Sequence, residues 1–166
     1  MNHPLAQVNV AHMRGPSDDA VMAEFIAALD EVNSLADRSP GFVRRHQTGA
    51  GNALAERVYD DPLVLINLSV WLTVEELKTH VYRTLHGRFL ARRAAWFHRM
   101  QAAHLALWWV PAGHRPSLEE AKLRPEHRRT RGDSPRAFGF QRTFPPDQLD
   151  PGETTLAKDL SSASSA

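Results

Sequence analysis

Three residues within LINLSVWLTVEEL, residues 65–77, are equipped for chemistry and share one side of a strand: Asn67, Ser69 and Trp71. Side chains alternate across a strand, so positions two apart point the same way. On an apolar wall, an amide and a hydroxyl can orient a substrate carbonyl or hold an enolate-like anion by hydrogen bonding. An indole beside them offers a flat surface for an aromatic ligand. LAQVNVAH, residues 5–12, repeats the pattern, with Gln7 and Asn9 on one side and Ala6, Val8 and Val10 on the other. HLALWWV, residues 104–110, adds Trp108. Each residue also has a plainer reading. Buried amides must find partners in any fold, and tryptophan is enriched in subunit interfaces.

The elements that would position these residues follow from periodicity. After the first strand, Ser17 or Asp18 is placed to cap a helix carrying Met22, Phe25, Ile26, Leu29, Val32 and Ala36 at helical spacing. RSPGF turns the chain into a second strand, FVRRHQT, and residues 48–64 form a long connection. The third strand passes into a helix through a capping box of Thr73 and Glu76. That helix carries an apolar stripe of Leu77, Val81, Leu85, Phe89, Trp96 and Met100, with Gly87 as a possible break. On one continuous helix His86 borders the stripe, while His80 lies about 140° from its centre and is expected in solvent. After the fourth strand, Ser117 and Glu120 start a third helix that Pro125 should end or kink near Arg124. Residues 137–144 suit a short fifth strand, and 145–166 read as a disordered tail after a domain spanning 3–144.

Strand–helix–strand–strand–helix–strand is the split-βαβ order, so the expected fold is α+β, a ferredoxin-like antiparallel sheet with its helices on one face. The aliphatic sets are assigned to the helices: Ala6, Val8 and Val10; Ile66, Leu68, Val70 and Leu72; Leu105, Leu107 and Trp109. The opposite face then holds Gln7, Asn9, Asn67, Ser69, Trp71, His104, Ala106 and Trp108. Two indoles are too much apolar surface to leave in water, so something is expected to cover them.

Composition removes several classes. With no cysteine among 166 residues, disulfides, thiolate metal sites and cysteine nucleophiles are excluded. A net charge of +1 gives no case for nucleic acid or an anionic membrane. No apolar run is long enough to span a bilayer, and MNHPLAQVNVAHM is not a signal peptide, so a cytoplasmic location is expected. The histidines show no HExxH or compact metal spacing, and there is no GxSxG, P-loop or dinucleotide fingerprint. RPEHRRTR is a short basic run, expected to be a solvated face.

NLSVWLTVEELKTHVYRTLHGRFLARRAAWF, followed by LALWWVPAGHRPSLEEAKLR, resembles a domain family of unknown function within the dimeric α/β-barrel superfamily, similar to the antibiotic-biosynthesis monooxygenases. The resemblance runs from about Pro4 to Phe144, and RPEHRRTRGDSP departs from its leucine-bearing third helix. It implies a homodimer that closes an α/β barrel, and a lumen for a small aromatic ligand. It also implies either cofactor-free oxygenation or, in relatives that degrade haem, a helical histidine on iron. The roles carried over are Asn67, Trp71 and His86 in catalysis and Gln7, Asn9, Ser69 and Trp108 in ligand binding. No cofactor is required and no metal ligand is assigned; haem is the one alternative. The competing expectation is a non-enzymatic stress-response or scaffold dimer whose second sheet face is only interface.

Overall fold

The computed structural model describes residues 2–47, 58–83, 85–149 and 152, with Leu85 and His86 described by backbone alone. The elements are β1 (Leu5–His12), α1 (Ala23–Asp37), β2 (Phe42–Arg45), β3 (Val64–Trp71), α2 (Val74–Arg83), α3 (Leu85–Trp96), β4 (Leu105–Trp109) and α4 (Leu118–Arg131). The strands form one antiparallel sheet in the order β2-β3-β1-β4, the expected ferredoxin-like arrangement.

Local chemistry sets the joints. Asp19, rather than Ser17 or Asp18, supplies the first cap: it accepts from the Val21 N–H and opens a short 3-10 turn that leads into α1. Thr73 Oγ1 accepts from the Glu76 N–H at 3.1 Å and donates to the Glu76 carboxylate, so β3 enters α2 with almost no loop. Gly41 has φ of 75° and lies against that carboxylate, where an added Cβ would stand 2.0 Å from Glu76 Oε2. The expected long helix is two, α2 and α3, and Gly87 sits where they meet, its missing Cβ only 2.9 Å from the Tyr82 carbonyl oxygen.

The faces of the sheet differ from expectation in two ways. First, β4 has the opposite phase. Ala6 pairs with Trp108 and Gln7 with Leu107, so Ala106 and Trp108 lie on the aliphatic face while Leu107 and Trp109 join Gln7, Ser69 and Trp71. Every residue of LALWW is apolar, so alternation carried no phase there. Leu72 lies beyond β3 and is exposed. Second, α1, α2 and α3 cover the face bearing Trp71. Trp71, Leu5, Leu107 and Trp109 pack with Val74 and Leu77 of α2, while Met13 packs with Phe25 of α1 and with Phe89 and Trp96 of α3. The aliphatic face is covered by α4, through Leu118 and Ala121. Both indoles are thus buried by their own chain, Trp71 at 1% and Trp108 at 0% exposure, and neither calls for a second copy.

α4 continues through Pro125 instead of stopping at Arg124. The proline removes one intrahelical hydrogen bond, and side chains hold the remaining turns. Arg124 Nη1 donates to the Arg136 carbonyl, Arg128 Nη1 to the Leu105 carbonyl, and Arg128 Nε to Asp133 Oδ1 at 2.6 Å. The basic run is therefore only partly solvated: Arg124 is 5% exposed and lies over the Trp108 ring. In place of a fifth strand, Phe138 makes an isolated bridge to Leu107, exchanging both backbone hydrogen bonds. Phe140, Phe144 and Leu149 then pack onto the Trp71 cluster, so the segment assigned to the tail reaches the core before residue 153, beyond which the chain lies outside the described residues.

Leu118→Ala should cost about 2–5 kcal/mol, read as a lower denaturant midpoint. Because the cover is intramolecular, the loss should not vary with protein concentration; a concentration-dependent midpoint would place a second copy on this face.

Candidate functional site

The polar residues of the helix-covered face divide into a closed end and an open end. At the closed end, Trp71 Nε1–H donates to Ser69 Oγ at 2.9 Å, and the Ser69 hydroxyl donates to Gln7 Oε1 at 2.8 Å. Gln7 and Ser69 are directly opposite in register. Both are buried, so the two bonds satisfy groups that water cannot reach. The His80 ring packs tilted on the indole, centroids 4.9 Å apart, and Phe42 meets it edge-on at 5.4 Å. His80 Nδ1 is 3.0 Å from Ser39 Oγ, which lies 2.8 Å from the Leu35 carbonyl oxygen. When Ser39 gives its single proton to Leu35, its oxygen accepts from Nδ1–H of His80, which fixes the ring's tautomer.

His80 is the residue that sequence reasoning placed in solvent; it is 6% exposed. A single continuous helix would turn His80 away from the Leu85 stripe, but Leu85 belongs to α3 and His80 to α2. On α2 alone the buried residues are Val74, Leu77 and His80, a three-residue spacing visible in the sequence once the break is known. His86 belongs to α3, and its side chain lies outside the described residues. Trp108 is on the other face, where its Nε1–H points to Glu120 Oε1 at 3.3 Å, so it cannot share a site with Trp71.

At the open end stand Asn9 and Asn67, cross-strand partners on the same face. Asn67 is exposed, and Asn9 is half-buried, with its Oδ1 sealed from solvent and lacking a hydrogen-bond partner. Their same-face neighbours Ala11, Leu65 and Leu105 are also only half-buried. This strip runs between two dry clusters, one around Trp71 and one around Trp96. Along this strip the helices leave the sheet incompletely covered.

The described residues hold no group of three or more potential metal ligands. His80 is buried in a stack with Trp71. No described helix is long and apolar enough to cross a membrane.

Ser69→Ala should strand both the indole N–H and Gln7 Oε1. A loss of about 1–3 kcal/mol is expected on denaturant unfolding. A loss within error of zero would mean that the network is not closed in solution.

Solved structures with a similar chain path are distant. SnoaB, a cofactor-independent oxygenase from Streptomyces nogalater, is 19% identical over 70% of this chain and 97% of its own, with a TM-score of 0.42. A putative antibiotic biosynthesis monooxygenase from Nitrosomonas europaea is 17% identical over 70% and 97%, with a TM-score of 0.46. Rv0793 from Mycobacterium tuberculosis is 14% identical over 69% and 99%, at 0.43. No curated protein matches the chain. The family described as Domain of unknown function (DUF3291) matches residues 4–154, nearly the whole of the described fold, and the chain belongs to that family.

Proposed function

We propose that this protein binds a small molecule in the half-covered strip between the sheet and its crossover helices, with Asn9 and Asn67 as the polar contacts. The observation that carries the reading is Asn9 Oδ1, an acceptor buried without a partner. An unmet acceptor costs about 1–3 kcal/mol, a cost that a ligand O–H or N–H would offset. Asn67, opposite it and open to solvent, brings both a donor and an acceptor to the same ligand. Leu65, Ala11 and Leu105 give the ligand's apolar body a surface to lie on. A small aromatic hydroxy compound meets all three demands.

The reaction attached to this site is oxygenation of such a compound. Asn9 Oδ1 would accept from a substrate hydroxyl and so fix the ring's orientation, while the Asn67 side-chain N–H would donate to a substrate oxygen on which negative charge develops as dioxygen is attacked. Trp71 and His80 would form the closed end wall and keep water away, rather than stack on the substrate, since both are buried and packed against each other. The competing reading, a scaffold dimer without a ligand, loses its main support because each indole is already covered within one chain.

Asn9→Leu separates the two readings. It removes the unmet acceptor at nearly constant volume, so thermal stability should hold or rise, with about 2–4 °C expected per kcal/mol. Thermal stabilisation by naphthols and hydroxyquinones, and any oxygen uptake with them, should disappear. A less stable Asn9→Leu protein that still binds these compounds would make Asn9 a structural residue and remove the proposal.

A further inference from the structure

The opposite face of the sheet carries a second, chemically different opening. A cavity of about 300 Å³ lies over the outer side of β2 and β3, floored by Leu68 and Val70 and walled by Arg44, His46, Arg115 and Pro116. No carboxylate lines it among the described residues. Arg44 and Arg115 therefore come together over an apolar floor.

Arg44 is aimed there by a defect in the sheet. Phe42 pairs with Trp71, but Val70 pairs with Arg44 rather than with Val43, so Val43 is an inserted residue in a β-bulge. In a regular ladder Arg44 would face α1 and α2, as Phe42 does. The bulge turns it to the aliphatic face, beside Val70, while Arg45 returns to the helix side and pairs with Asp37 at 2.9 Å. Arg44 lines the cavity, and its Nη1 is buried without a hydrogen-bond partner. A guanidinium nitrogen withdrawn from water without an acceptor is costly. Nothing in the packing of the aliphatic core demands an arginine at this point, since Leu68 and Val70 would accept any apolar neighbour.

We infer that this cavity is a binding site for a small organic oxyanion, with a carboxylate or phosphate paired to Arg44 and the apolar part of the molecule on Leu68 and Val70. The planar fork of Arg44 suits two-point recognition of either group. Arg115 adds charge at the rim, one residue before Pro116 and two before Ser117, the cap of α4. The site stands on the far face of the sheet from Asn9, so it does not depend on the function proposed above.

The test uses the full chain and four probes at constant ionic strength: benzoate, phenyl phosphate, inorganic phosphate and neutral benzyl alcohol. Affinities are read by calorimetry and by the shift in melting temperature. Wild-type protein should bind benzoate or phenyl phosphate and not benzyl alcohol, and the stronger of the two names the acid group. Weak binding of inorganic phosphate beside tight binding of phenyl phosphate would support the role of the Leu68–Val70 floor. Arg44→Leu should fold at least as stably and lose about tenfold to a hundredfold in affinity. Arg44→Lys, which keeps charge without the fork, should fall between. Asn9→Leu should leave anion binding unchanged. Equal affinity in Arg44→Leu and wild type, binding of benzyl alcohol as tightly as of the anions, or no binding by any anion would overturn the inference.

Discussion

A buried indole N–H must have an acceptor, and the polar pattern on one face of this sheet follows from that need. Trp71 sits beneath α2 with Ser69 as its acceptor, and Ser69 in turn needs Gln7. Two of the three residues that first looked like catalytic equipment, Ser69 and Trp71, thus belong with Gln7 to one buried hydrogen-bond chain. Closing that end isolates Asn9. Its amide shares the face and the register but not the network, and its oxygen is left unmet. The distinction between a structural and a functional polar residue is here a matter of hydrogen-bond accounting along two adjacent strands.

The order of elements was legible because it depends on local signals. β1 runs over Leu5–His12 as its alternation requires, and the Thr73–Glu76 box starts α2 where expected. The side chains' destinations were harder to read. Strand β4 is apolar at every position, so only its register with β1 could tell which indole faced which way. The apolar stripe does not predict His80's burial because its residues belong to two separate helices. The turn of α4 past Pro125 rests on arginine contacts to carbonyls far along the chain, which no local pattern reports.

The candidate sites were legible in unequal parts. Asn9 and Asn67 could be named from alternation alone, but only packing separates them from Gln7 and Ser69. Arg44 could not be named at all, because a regular strand would have put it on the other face; the bulge at Val43 is a property of pairing. The sheet thus has two distinct openings, one polar and uncharged beneath the helices, the other cationic on the outer side. Each is marked by a buried polar atom without a partner. Such atoms are few in a folded protein, and these two point into different surroundings.

The central claim is that one chain buries both indoles of its own sheet. Hydrogen exchange at the indole N–H groups, followed by nitrogen-15 nuclear magnetic resonance across a range of protein concentrations, tests it most directly. Slow exchange at Trp71 and Trp108 that does not change on dilution is the expected result. Fast exchange at either indole in dilute protein, with protection appearing only as subunits associate, would contradict the account.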